Sequence, residues 1–148
     1  MQQTKTLINL YSDKILKLAA DISLYDRLDE PDITIKKRAP ICGSMVIVDL
    51  NISNNIITGY AHDIRACALG QASASILSKE IVGKKSSEII ETRMSVKEML
   101  VGGSYQLDKF HDYKFLSPAA DYKNRHASIM LVLDAAVEGI LKIEENQV

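Results

Sequence analysis

The chain has 148 residues, of which 47% are hydrophobic and 25% charged, with a net charge of −1. That length suits one domain with a real core, and the near-neutral charge argues against a general phosphate-binding surface. No apolar run reaches the roughly 18–20 residues needed to span a membrane, and the start Met1-Gln2-Gln3-Thr4-Lys5 lacks a signal-peptide pattern. The two cysteines exclude a disulfide framework, and free thiols fit a reducing cytoplasm.

Ile8, Tyr11, Ile15, Leu18 and Ile22 recur at helical spacing, which predicts an amphipathic helix ending near Ala20. Ile33 to Lys37 reads as a short strand. Met45 to Ile52 is β-branched and partly alternating, a second strand. Ser53-Asn54-Asn55 supplies turn residues that tolerate positive φ, and Ile56 to Ile64 returns as the other arm of a hairpin. Beyond Cys67, a run rich in Ala, Ser, Leu and Ile predicts a helix to Val82 closed by Gly83. Ser86-Ser87 open a short segment. Ser95-Val96-Lys97-Glu98 matches a capping box, so a new helix is expected there, stopped by Gly102-Gly103. Ser104 to Asp121 reads as a helical turn and loop packed on the core. Asn124 to Glu144 forms a long amphipathic helix through Ile129, Val132, Leu133, Ala136, Val137 and Ile140. The order implies an α+β fold: a small antiparallel three-stranded sheet with helices packed on one face.

Chemistry concentrates at three places. Pro40-Ile41-Cys42-Gly43 is a stiff turn before a strand, suited to presenting a thiol at the end of a sheet. An ordinary turn with a buried cysteine fits the same residues equally well. Cys67 stands at a predicted helix start, where unpaired N–H groups and the helix dipole favour a thiolate and Arg65 adds positive charge. There the plain alternative is a small residue at a helix–strand junction. His126 opens the last helix, and a lone histidine is more often a hydrogen-bonded structural residue than a ligand. The same plain reading covers His62 and His111. Thiolate and imidazole together are the donors that hold iron or zinc. No nucleophile–base pair is anchored by an orienting carboxylate, and no Gly-rich phosphate loop appears, so the composition favours a non-enzymatic role.

Taken together, these motifs resemble the U-type iron–sulfur cluster scaffold family, which includes the NifU N-terminal domain, IscU and SufU. Members carry Pro-x-Cys-Gly-Asp before a strand and a second cysteine about 25 residues later. A helix with Ala-Ser-x-Ser follows it, and His-Cys-Ser-Ile-Leu opens the last helix. Here Pro40-Ile41-Cys42-Gly43, Cys67, Ala72-Ser73-Ala74-Ser75, Gly83-Lys84 and His126-Ala127-Ser128-Ile129-Met130 stand in that order. The family's aspartate is Ser44 and its third cysteine is Ala127, or His126 if the match shifts by one. The family's Pro-Pro-Val-Lys stretch has no counterpart in Pro118 to Lys123.

The resemblance implies a SufE/NifU-like fold over residues 1–148 as one domain. It implies an assembly scaffold that holds iron or a labile Fe–S cluster through Cys42, Cys67 and His126, with Asp63 or a partner as a fourth ligand. The implied partners are a cysteine desulfurase and Fe–S acceptor proteins, with a homo-oligomer among the options and neither nucleic acid nor membrane involved. Two alternatives remain: a zinc-bound sulfurtransferase of the SufU type, and an interaction module of the assembly system without metal.

Overall fold

The computed structural model describes residues 10–22, 26–40 and 43–146. Helix α1 spans Asp13–Ala20, with Ser12 Oγ accepting from the Ile15 N–H at 3.3 Å. Its apolar stripe buries Ile15 and Leu18; Ile8, expected on the same stripe, lies outside the described residues.

Three strands follow: β1 (Ile33–Arg38), β2 (Met45–Ser53) and β3 (Ile56–Arg65). They form one antiparallel sheet in the order β1-β2-β3. The β2–β3 turn closes on Asn54 and Asn55 at φ 52° and 62°. Two adjacent left-handed residues match the twist of the flanking strands, the geometry asparagine tolerates best without glycine. The register shifts once, between Asn51 and Ile52.

Helix α2 (Ala68–Glu80) is nearly all buried, from Leu69 to Ser78 with only Gln71 partly open. It therefore shows small residues all round rather than one apolar stripe. Gly83 adopts φ 93°, and its N–H donates to the Ile57 carbonyl at 2.8 Å, so the chain leaving α2 crosses the edge of β3.

Helix α3 runs unbroken over Ser86–Leu100, which corrects the expected short segment and new start at Ser95. The N-terminal cap is one motif earlier: the Glu88 carboxylate accepts from the Lys85 N–H at 2.8 Å. Burial of Ile89, Thr92, Val96 and Met99 on one stripe carries the helix through Ser95. A Ser-x-x-Glu pattern caps only where the helix begins, and here packing places that beginning at Ser86. Gly102, at φ 82°, ends it.

Residues His111–Asp121 form a 3₁₀-helix containing Pro118, and Lys123–Asn146 form the long helix α4. Helix α4 lies across β1 and β2 and packs on α2 and α3. A Cβ on Gly139 would come within 2.9 Å of Leu50 Cδ1, so glycine lets the helix sit directly on the strands. Val46, Val48, Leu50, Leu69, Leu77, Leu133 and Ile140 are fully buried in this shared core.

The opposite sheet face carries a buried charge. The Asp49 side chain is excluded from solvent, while Arg27 is half exposed. Arg27 Nε and Nη2 donate to its two oxygens at 2.6 and 3.0 Å. Thr34 Oγ1 and the Leu28 N–H donate at 2.6 and 3.1 Å. The segment from Arg27 is thereby clamped onto the sheet. Burial pushes the Asp49 carboxyl up, but Arg27, Thr34 and the Leu28 N–H together hold it below the usual carboxylate range. A depressed folded-state pKa stabilises the fold above the ordinary aspartate range near pH 3.9, a contribution lost as pH falls through the lower folded value. We expect Asp49→Asn to cost about 2–3 kcal/mol at pH 7, because it strands the guanidinium and replaces an ionic acceptor. Urea unfolding at pH 7 and in acid checks this: the wild-type advantage should shrink as pH drops.

Candidate metal and sulfur site

Cys67 is the N-cap of α2, in extended geometry at φ −67° and ψ 173°. It follows directly from the end of β3, so the hairpin delivers the thiol to the helix start. The thiol is half-buried. Its sulfur lies 3.3 Å from Ser128 Oγ on α4. Ser128 Oγ lies in turn 3.3 Å from Ser44 Oγ. Both serines are buried, so a short chain of hydroxyls joins the turn before β2, the start of α2 and the start of α4.

Gly70 makes this approach possible. A Cβ there would fall 2.5 Å from Ser128 Oγ, 2.7 Å from Ala66 Cβ and 3.2 Å from the Ser128 carbonyl oxygen. One turn on, Ser73 Oγ donates to the Ile129 carbonyl at 2.7 Å and locks the same pair of helices.

The electrostatics favour a thiolate. Partial burial raises the Cys67 pKa. The Ser128 hydroxyl, the Gly70 and Leu69 N–H groups and the Arg125 charge outweigh it, and the net shift is downward. A helix start beside a cationic side chain is an environment in which sulfur becomes nucleophilic or ligating.

The described residues on either side of Cys42 are tied to one another. The Ala39 N–H donates to the Ser44 carbonyl at 2.8 Å, and the Gly43 N–H to the Ala39 carbonyl at 3.0 Å. Gly43 sits at φ 72°, the left-handed region glycine was expected to supply. Cys42 itself lies outside the described residues. Ser44, two residues on, reaches Ser128 and through it the Cys67 sulfur.

His126 occupies a different flank of α4. Residues two apart on a helix point about 200° from one another, so Ser128 faces α2 while His126 faces away. His126 Nε2 donates to the Ala119 carbonyl at 2.8 Å, which leaves Nδ1 with its lone pair. The ring lines a pocket of about 260 Å³ with Ala127, Met130, Arg93, Lys97 and Leu100. A histidine that spends one nitrogen on a backbone carbonyl and keeps the other open is oriented as metal-ligating imidazoles are. Among the described residues, no three His, Cys, Asp or Glu side chains gather where they would hold a metal ion.

The remaining histidines serve structure. His62 is fully buried on the helix-facing side of the sheet, with Tyr60 Oη at 2.9 Å from its Nδ1. His111 Nε2 donates to the Asp108 carbonyl at 2.9 Å. Asp63 stands on the other sheet face, where its charge acts on Arg27. Ser44 and Ser128 escape sequence reasoning because their only local signal is that serine stands at a small-residue position.

The family described as NifU-like N terminal domain matches residues 10–128 of this chain. The chain is similar to the iron–sulfur cluster assembly scaffold protein IscU of Thermotoga maritima, at 22% identity over 134 residues, 90% of this chain and 94% of that one. Among solved structures, a nitrogen-fixing NifU-like protein (N-terminal) from Brucella abortus superimposes with a TM-score of 0.92 at 35% identity, covering 95% of this chain and 98% of that one. An iron–sulfur cluster assembly scaffold protein for the SUF system from Fervidobacterium islandicum shares the fold, with a TM-score of 0.83 at 17% identity over 89% and 97% of the two chains.

Two measurements probe the geometry of the site. In a Cys42→Ser background, the pH midpoint of Cys67 alkylation by iodoacetamide should lie below that of a free cysteine, near 8.5. Ser128→Ala should move it upward; an unmoved midpoint means the hydroxyl does not act on the sulfur. Gly70→Ala should lower stability by about 1–3 kcal/mol, read from the urea midpoint, because α2 and α4 must part.

Proposed function

This chain belongs to the family of NifU-like N-terminal domains, and from that premise we propose that it is an iron–sulfur cluster assembly scaffold. Residues 1–148 act in this reading as one unit that receives iron and sulfide and passes the assembled cluster to acceptor proteins. The cluster is cargo, so the site must hold it well enough to build and loosely enough to release.

The observation that carries the reading is Cys67. It is a half-buried cysteine at a helix start, favoured as thiolate by backbone N–H groups, Ser128 and Arg125. Cys42 is the proposed second sulfur, two residues before Ser44, which reaches the same hydroxyl chain. His126 is the proposed third donor, through Nδ1, since Nε2 is committed to Ala119; because it faces the α3 side of α4, it joins Cys67 only if the start of α4 turns as the cluster loads. The donor set fits such a cargo as an incomplete one. A [2Fe–2S] cluster takes four protein ligands, usually thiolates, and this chain has two cysteines in all. The fourth position is left to a partner or small-molecule thiol, which favours release. The partners proposed from the family are a cysteine desulfurase and Fe–S acceptor proteins, working in the cytoplasm. No helix among the described residues is long and apolar enough to cross a membrane.

In the ungapped match the third family thiol is replaced by Ala127, which is exposed on the rim of the His126 pocket. Sulfur delivered by a desulfurase must then be received at Cys42 or Cys67, and Cys67 has the environment for it.

Anaerobic reconstitution with ferric iron, sulfide and a small-molecule thiol tests the reading. We expect sulfur-to-iron charge-transfer absorbance, with iron and acid-labile sulfide in equal amounts. Cys67→Ala and Cys42→Ala should each abolish it, and His126→Ala should shorten the lifetime of the bound cluster. Zinc retained at one ion per chain with no cluster formed would favour the zinc-bound sulfurtransferase instead. Absence of both metals would remove the metal-binding role.

A further inference from the structure

The sheet face opposite α4 is divided in two. One half, around Asp49 and Ala61, is buried, and the segment from Arg27 to Leu28 is pinned to it. The other half lies at the end of the sheet that leads into Cys67. The register places Arg38, Met45 and Arg65 in one row across the strands, and Lys36, Ile47 and Asp63 in the next. These side chains face away from the helices, since alternate residues Ile35 and Lys37 turn toward α4, where Lys37 pairs with Glu138 at 3.0 Å.

Lys36, Arg38 and Arg65 are exposed, while Met45 and Ile47 between them are half-buried. Arg38 Nη2 lies 3.6 Å from Met45 Sδ. None of the three cations enters an ion pair with a described residue. Lys14, Arg27, Lys37, Lys79, Arg93, Lys109 and Lys142 do, whereas Lys17, Lys84, Lys85, Lys97, Lys114, Lys123 and Arg125 also stand without an ion pair among the described residues, so it is the grouping of these three on one sheet face that matters. The one carboxylate in these rows, Asp63, acts on Arg27. Three cations and one carboxylate thus flank an apolar centre, a local excess of positive charge in a chain whose net charge is −1.

We infer that the rows Arg38–Met45–Arg65 and Lys36–Ile47 form a docking surface for an acidic segment of a partner protein. Carboxylates meet the cationic rim, and apolar side chains cover Met45 and Ile47. The charge pattern selects this occupant. A second copy docked through this same surface would set like charges face to face. The chain's own residues 1–9 contain Lys5 and no carboxylate side chain. A nucleic acid would match the cations but finds no aromatic side chain in either row for base stacking. Arg65 is two residues before Cys67, so this surface ends at the same end of the sheet as the thiol, on the opposite face. Rim charges act mainly on encounter and specificity and are screened by salt. The inference stands on the surface itself, independent of whether a cluster is held.

The test uses the full chain and a fluorescent 12-residue peptide of alternating glutamate and leucine, followed by anisotropy, with amide NMR shifts to locate it. We expect shifts at Lys36, Arg38, Met45, Ile47 and Arg65, and binding weakened several-fold between 50 and 300 mM salt. A Lys36→Glu, Arg38→Glu variant should bind at least tenfold more weakly. Both positions are exposed, so its thermal transition should be unchanged. The matching lysine–leucine peptide should not bind. Shifts on another face, equal binding by the variant, or equal binding of the lysine peptide would overturn the inference. So would tighter binding of a single-stranded oligothymidine, or self-association that the double variant abolishes. The iron reconstitution above does not use this face, so either result can fail alone.

Discussion

The close approach of α2 and α4 at Gly70 and Ser128 is the constraint on which the site depends. Without a side chain at residue 70, the Ser128 hydroxyl comes within hydrogen-bond range of the Cys67 sulfur, and its carbonyl passes over the first turn of α2. The Ser73 bond to the Ile129 carbonyl fixes the same two helices a turn later. Tyr113 of the 3₁₀-helix donates to the Ser73 carbonyl at 2.9 Å and extends the tie to the connecting segment. Buried polar groups satisfied in this way give a fixed geometry, whereas an apolar contact would allow sliding. The position of the thiol is set by packing several residues away from it.

The start of α4 sends consecutive residues to different tasks. His126 turns toward α3 and the 3₁₀-helix, Ala127 opens onto the pocket rim, and Ser128 turns inward to Cys67. A helix that opens at the junction of three elements can address all three within one turn. The sheet separates these events from the Asp49–Arg27 clamp on its far side. There, a carboxylate withdrawn from water holds a loop in place through a bidentate guanidinium and two further donors.

Much of the fold is legible in the chain because it rests on local rules. Asn54-Asn55 between two β-branched runs specifies the hairpin, and the apolar spacing from Ile129 to Ile140 specifies the last helix. Gly43, Gly83 and Gly102 all take the left-handed geometry that marks turns and helix ends. Ser95 misleads for a physical reason. A capping pattern is silent in a helix interior, and the burial of Ile89 and Val96 on either side joins the two pieces. Within the site, Cys67 stands out through its helix-start position. Ser44 and Ser128 do not, because a serine acquires a role only when a distant hydroxyl or sulfur is brought to it. Asp49 is equally silent, since nothing in Val48-Asp49-Leu50 announces that a residue 22 positions earlier will cover it.

The sequence by itself determined the α+β order of elements, the hairpin, the helix start at Cys67 and the family likeness, because each follows from periodicity, turn chemistry or motif spacing along the chain. Tertiary structure alone decided that Ser128 rather than His126 meets the Cys67 sulfur, that Asp49 is buried under Arg27, and that three cations gather on the sheet face opposite α4. Those outcomes depend on the rotation of α4 and the register of the strands, which are fixed by how side chains from remote segments fit against one another.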